Sequence, residues 1–207
     1  GGEAEEMLEA AERAGTRIFV NFSNRGSPLD CATYYVIQKG LLGDIVYGES
    51  HLDDNIVVPT RLWGIRSRNW VAGSSTAHFL LSHVVDFLRW VMAPSEVTEV
   101  FAISQRKVLE YTPDLYDAFL TFDTGAKFRI KAEWIKHMVG LVEFRLDFSG
   151  AEGTLRYTKL SGFAENEGWR ASLSSQVNSR TLKEHQRALA QQGIDVNALF
   201  PNVDPLA

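Results

Sequence analysis

The chain has 207 residues, 45% hydrophobic, 11% aromatic and 23% charged, which suits one large globular domain, or one domain plus a piece of another, and excludes disorder as its dominant state. Its 21 Lys and Arg against 26 Asp and Glu leave a formal charge of -5, too acidic overall for a protein held on nucleic acid by phosphate neutralisation, although a local basic patch is compatible with it. The single cysteine, Cys31, forms no internal disulfide, no Cys/His set has zinc-finger spacing, and there is neither an apolar run of about 18 residues nor a basic start before an apolar stretch, so the sequence predicts a cytoplasmic protein without membrane span or signal peptide.

The first segment, Gly2 to Gly15, places Met7, Leu8, Ala11 and Ala14 at helical spacing, with acids in the first turn and a glycine to end it. A β-prone run, Arg17 to Phe22, follows, then a loop to Pro28 and a helix from about Leu29 to Lys39. The Gly-Gly start reads as an expression remnant or a cut point, and an opening inside an αβ unit suggests a piece of a longer parent.

After Gly43 the pattern turns to strands. Ile45 to Val57 is one; Pro59 to Gly73 reads as a loop rich in Arg and Trp; Thr76 to Met92 reads as one strongly apolar helix. Val97 to Val108, Tyr116 to Phe122, Lys127 to Trp134 and Val142 to Phe148 then alternate, with Asp123-Thr124-Gly125 as a hairpin turn. Phe128, Ile130, Ala132 and Trp134 share one face, opposed by Lys127, Arg129, Lys131 and Glu133. Val142, Phe144, Leu146 and Phe148 likewise oppose Glu143, Arg145 and Asp147. Such strands predict an α+β fold, a largely antiparallel, open-faced sheet of about six or more strands with helices on one face. Gly150 to Tyr157 and Trp169 to Ser174 add further strands, Thr181 to Gln192 is helical, and Asp195 to Ala207 is expected to be extended or partly ordered.

His83 and Asp86 stand three positions apart on the apolar helix. An imidazole titrates at roughly 6.5 and a neighbouring carboxylate favours its charged form, so the pair suits acid/base work, although a packed, hydrogen-bonded histidine has the same spacing. The run TRLWGIRSRNW carries Arg61, Arg66 and Arg68 among Trp63 and Trp70, a set whose forks and rings suit a polyhydroxylated or carboxylated ligand, or else a solvated basic loop packed on its tryptophans. His51, Asp53 and Asp54 are metal-ligand types, but strand alternation turns Asp54 away from the other two, and no metal is expected. No G-x-G-x-x-G follows a strand, and neither a P-loop nor G-x-S-x-G occurs.

Several patches, in order, resemble the C-terminal domain of the Gfo/Idh/MocA family (glucose-fructose oxidoreductase, inositol dehydrogenase and rhizopine catabolism). EAEEMLEAAERAGTRIFVNFSNRGSP is similar to the family's last Rossmann helix and strand with its F-x-x-R-x-x-P turn, here Phe22, Arg25 and Pro28. YYVIQKGLLGDIVYGESH resembles a helix ending in G-x-x-G, here Gly40 and Gly43. GSSTAHFLLSHVVDFLRWVMA resembles the helix bearing His-x-x-Asp, here His83 and Asp86. DAFLTFDTGAKFRIKAEW and FRLDFSGAEGTLRY resemble two later sheet segments with turn glycines Gly125, Gly150 and Gly153.

The resemblance, over roughly Glu3 to Tyr157, implies a dihydrodipicolinate-reductase-like sheet domain. Residues 1–24 would be the stub of a truncated Rossmann domain, 25–180 the substrate and oligomerisation domain, and 181–207 a C-terminal helix and tail. It also implies a parent that moves hydride between NAD or NADP and a sugar, inositol or related polyol. There His83 would be the acid/base and Asp86 its orienting partner. Arg61, Trp63, Arg66, Arg68 and His78 would line the substrate side, and Asn24 and Arg25 would meet the cofactor. A lysine in a Glu-Lys-Pro motif would lie upstream, and this chain alone would bind no cofactor. Two positions depart from the family: Phe79 stands where an Asp commonly contacts the reacting hydroxyl, with His78 the nearest substitute, and Leu81 replaces a glycine. A non-catalytic relative that binds a sugar or a protein through the same surface is the alternative. Self-association is expected through the open sheet face, by ion pairs rather than a greasy interface.

Overall fold

The computed structural model describes residues 2–161 and 166–201. In chain order its helices and strands are α1 (Gly2–Arg13), α2 (Pro28–Gln38), β1 (Ile45–Asn55), α3 (Val57–Arg61), α4 (Arg66–Ala72), α5 (Ser82–Met92), β2 (Val97–Gln105), β3 (Leu115–Phe122), β4 (Lys127–Lys136), β5 (Val142–Gly150), β6 (Thr154–Ser161), β7 (Asn166–Leu173), α6 (Ser179–Ala190) and β8 (Leu199–Pro201). The strands form one eight-stranded sheet in the order β2-β3-β4-β1-β5-β6-β7-β8. Only the β1/β4 and β7/β8 pairs are parallel. This is the expected α+β architecture with a largely antiparallel sheet.

The two faces follow the period of two in the strands. Phe128, Ile130, Ala132 and Trp134 of β4 and Phe144, Leu146 and Phe148 of β5 are buried beneath α2 and α5, which contribute Ala32 and Val36, and Val84, Phe87, Leu88 and Val91. Central β1 passes between these strands with Gly48 beside Phe128 on one side and Phe148 on the other. A Cβ at Gly48 would lie 2.3 Å from the Phe128 ring and 2.5 Å from that of Phe148, so only glycine lets the two rings meet edge to face at 5.4 Å.

The opposite face carries charges that pair within the sheet. Arg129 donates to Asp117, with 2.6 Å between Nη2 and Oδ2. Lys131 and Lys136 hold Asp53 at 3.2 and 3.3 Å, and Lys131 also bonds Glu133. At the β2 end, however, the same face turns apolar: Phe101 lies opposite Phe119 and is 67% exposed, with Ile103 two residues on. The face is therefore not purely ionic: edge strand β2 is exposed along nearly all of its length.

Four regions differ from the sequence reading. Arg17 to Phe22 forms no strand: a β-prone run needs a neighbour with free backbone groups, none lies alongside among the described residues, and Phe19 is 87% exposed. Helix α1 forms as expected but buries none of its side chains. The predicted Arg/Trp loop is instead the two short helices α3 and α4, started by Asn55, whose Oδ1 accepts from the Val57 N–H, and tightened by Ser67, whose hydroxyl accepts from the Trp63 N–H. The apolar helix begins with a π-helical turn, Ala77–Leu81, before α5. The expected extended tail contains a turn, Val196–Ala198, capped by Asp195, and the short strand β8; the rest of it, 202–207, lies outside the described residues. Among those described, no helix is long and apolar enough to cross a membrane.

Candidate active site

A cavity of about 320 Å³ opens between the π-helical turn, the end of β1, the start of β5 and the turn at Ser23–Gly26. His83 lines it, as do Asn24, Trp63, Phe79, Asp54 and Lys159, over a wall of Leu52, Val58, Leu80 and Phe144. The π turn matters here, since such single-turn insertions shift the register of following side chains and are frequent at functional sites.

His83 is half-buried and meets the edge of the Phe22 ring, with 5.7 Å between centroids. Burial pushes its imidazole below the ordinary value, against the pull of Asp86 in the other direction. Near pH 7 the ring is thus held neutral, in the form that accepts a proton.

Asp86 does not serve as the imidazole's hydrogen-bonding partner. Its carboxylate accepts both forks of Arg25, at 2.9 and 2.6 Å, and Arg25 also lies over the Trp90 ring at 5.8 Å. A bidentate guanidinium bond is charge-assisted and stronger than one to a neutral imidazole, so Asp86 and Arg25 fasten the Ser23–Gly26 turn to α5. The same pair occupies the Arg25 guanidinium, which was expected to meet a cofactor, while leaving it about half exposed. Asn24, one residue earlier, lines the cavity.

Of the predicted substrate side, Trp63 alone reaches this cavity. Arg61 lines a separate cleft with Thr60, His137 and Met138. Arg66 lines a small cleft against Trp63 and Trp70, Arg68 lies over the Tyr111 ring at 5.0 Å, and exposed His78 bonds the Ser75 hydroxyl at 2.9 Å. The reason is the coiling of Pro59 to Gly73 into two helices, which turns the arginines outward and packs Trp70 against Phe79 at 4.6 Å. Phe79 packs as a wall of the cavity and supplies no polar atom.

Two groups at the cavity escaped the sequence reading of the site. Asp54 is 1% exposed; its Oδ2 accepts from the Trp134 indole at 3.2 Å and its Oδ1 has no partner. Burial raises its carboxyl to about 7, opposed by the indole bond and helped by nearby Asp53. The available signal was a carboxylate at a core-facing position of β1, in line with Gly48, Ser50 and Leu52. Lys159, on β6, lies beyond the segment that resembles the family, and no motif marked it. Its Nζ sits 3.5 Å from buried Asp30, whose carboxyl burial pushes up to about 6 and which also accepts from the Tyr157 hydroxyl.

His51 and Asp53 face the other side of the sheet, as alternation predicts, and no group of three His, Cys, Asp or Glu side chains converges among the described residues. Nor do these residues form a dinucleotide cradle: no glycine-rich turn joins a strand to a helix N-terminus.

The model of the GFO/IDH/MocA C-terminal domain matches residues 34–156, and the chain belongs to that family. No curated protein sequence matches it. Among solved structures, an inositol dehydrogenase homolog from Azotobacter vinelandii, complexed with NADH and myo-inositol, is 14% identical over 84% of this chain and 46% of its own, with a TM-score of 0.64. The WlbA dehydrogenase from Bordetella pertussis, in complex with NADH and UDP-GlcNAcA, is 20% identical over 91% of this chain and 53% of its own, at 0.63. A levoglucosan dehydrogenase with NADH and L-sorbose is 16% identical over 99% of this chain and 62% of its own, at 0.62. The chain therefore spans about half the length of these proteins, and the likeness is one of fold.

Proposed function

We propose that this chain is the substrate-binding and oligomerisation part of an NAD- or NADP-dependent oxidoreductase acting on a sugar, inositol or related polyol. The observation that carries the reading is His83, a neutral, half-buried imidazole at the wall of a cavity in a Gfo/Idh/MocA domain. The chemistry that a dinucleotide would supply in such an enzyme is a hydride acceptor for oxidation and a hydride donor for reduction. It would come from a Rossmann domain of which residues 1–24 are the last helix and following segment, with 25–180 as the substrate domain and 181–207 as the C-terminal helix and tail. Exposed α1 and unpaired Arg17 to Phe22 favour such a neighbour.

The residues of this chain then do three things. His83 takes the substrate hydroxyl proton in oxidation and returns it in reduction. Trp63 and Phe79 present aromatic faces to the apolar side of a sugar ring and, with Leu52 and Phe144, keep water out. Asn24 places an amide at the cavity wall, where it can bond substrate or nicotinamide. Self-association through the open face would use both its ion pairs and the apolar end at Phe101. A cytoplasmic location fits the lone, unpaired Cys31.

The test is turnover of the whole parent protein with NAD or NADP against a panel of sugars and polyols. His83→Ala is expected to lower kcat by about a hundredfold or more, the usual contribution of a positioned acid/base. Phe79 favours a second reading, a non-catalytic relative that holds a sugar or a protein in the same place. Absence of turnover with every substrate, together with sugar binding that survives His83→Ala, would support that second reading.

A further inference from the structure

Asp54 is a core-facing carboxylate that the fold does not satisfy. Central β1 carries Gly48, Ser50, Leu52 and Asp54 on the helix-covered face, and the first three fit that face without charge. Asp54 is as buried as they are, yet one of its oxygens is held by the Trp134 indole and the other by nothing. An unpaired buried acceptor is costly, and this one belongs to a side chain that lines a cavity, where the donor of a ligand can satisfy it. The neighbouring Asp53 supplies the contrast: it faces the other way and is neutralised by two lysines.

Resting on the function proposed above, we infer that Asp54 is the residue that accepts a hydroxyl of the substrate, and that it selects neutral polyols over anionic sugars. Three features support this. Asp54 and His83 line the same cavity, so a ring held by one lies within reach of a wall formed by the other. The Phe79 side chain, on that wall, has no polar atom, which leaves Asp54 as the only acidic side chain lining the cavity among the described residues. Among the described residues the one lysine or arginine lining the cavity, Lys159, is already paired with Asp30 at 3.5 Å, so an incoming carboxylate would meet Asp54 without an unpaired counter-charge. The indole bond from Trp134 holds one oxygen and leaves the other, buried and without a partner, free to accept from a single hydroxyl donor.

Calorimetric titration of the whole parent protein with myo-inositol, L-sorbose and D-glucuronate at about pH 8.5, above the value of about 7 to which burial raises the Asp54 carboxyl, so that it is charged, tests this. The wild type is expected to bind at least one of the two neutral compounds more tightly than glucuronate. Asp54→Asn keeps an oxygen for the Trp134 indole but removes the charge; it is expected to weaken neutral binding by about ten- to a hundredfold, as for a lost hydrogen bond to a charged group, and to narrow the preference against glucuronate. Asp54→Glu, which keeps the charge and displaces it by one methylene, serves if the amide variant does not fold. It is expected to retain discrimination against glucuronate with weaker neutral binding. Neutral binding within threefold of wild type in Asp54→Asn, a wild-type preference for glucuronate, or binding of none of the three overturns the inference. Turnover separates the two proposals. Asp54-dependent binding with no oxidation by NAD or NADP keeps the hydroxyl-binding role and removes the dehydrogenase reading, whereas unchanged oxidation by Asp54→Asn does the reverse.

Discussion

Asp53 and Asp54 are adjacent on β1, equally buried at 1% exposure, and on opposite faces of one sheet. On the open face Asp53 sits in a lattice with Lys131, Lys136 and Glu133, where each charge has a counter-charge. On the helix-covered face Asp54 has an indole on one oxygen and a cavity beside it. Two carboxylates of the same strand thus differ in kind: one is neutralised by the fold, while the other is left for whatever enters the cavity. Each carboxylate has one buried oxygen without a partner; what sets Asp54 apart is that no cation among the described residues pairs with it and that it lines a cavity.

The largest effect that sharpens the contrast between the faces belongs to the aromatic layer. Phe128 is fully buried, edge-packed on Phe122 at 5.3 Å and on Phe148 at 5.4 Å, so Phe128→Ala should lower unfolding free energy by about 3–5 kcal/mol in urea titrations. An effect below about 1 kcal/mol would mean that this face is not the core.

Asp54 comes next, through pH. Its folded carboxyl is raised to about 7 from an ordinary 3.8, so the native state holds a proton that the unfolded chain has released. That stability is fully present below about pH 4 and is lost as pH rises toward 7. Asp54→Asn removes the loss. Its stability relative to wild type should therefore improve between pH 4 and pH 8, by on the order of 3 kcal/mol, with His83, Lys159 and Asp53 as the nearby titrating or charged groups. A gap independent of pH would show that Asp54 is ionised at ordinary cost.

Asp53→Ala should act with the opposite sign. It leaves two partly buried lysines with Glu133 alone, and about 2–3 kcal/mol of destabilisation is expected near neutral pH, somewhat less than for an isolated buried pair. Equal stability of Asp53→Ala and wild type would make the lattice incidental. The smallest effect is Arg145→Ala. Its pair with Glu143 leaves the guanidinium about half exposed, so a change of about 0–1 kcal/mol that fades in high salt is expected, against the several kcal/mol of the aromatic layer, which begins one residue away at Phe144 on the other face.

The fold was largely legible because alternation is local. Lys127 to Trp134 and Val142 to Phe148 announce their faces in the sequence, and the hairpin at Asp123-Thr124-Gly125 announces the pairing of Tyr116 to Phe122 with the first of them. Pro59 to Gly73 was misread for the converse reason. Its helices rest on single contacts from Asn55 and Ser67 and on Trp70 finding Phe79, and none of these is a periodic signal. Arg17 to Phe22 shows the limit of propensity: a run of β-branched and aromatic residues is a strand only where a free edge accepts it.

The site divides in the same way. The residues that resemble the family named His83 and the family itself, because a motif is a property of the chain. That Asp86 belongs to Arg25, that the arginines of the Trp-rich segment face elsewhere, and that Asp54 and Lys159 reach the cavity of His83 were decided by tertiary structure. These partners are 61, 29 and 76 positions apart for Arg25 and Asp86, Asp54 and His83, and His83 and Lys159. Composition and alternation set which side chains enter the interior. Which buried polar atoms then find a partner is a matter of distance in space, and only the packed chain holds that information.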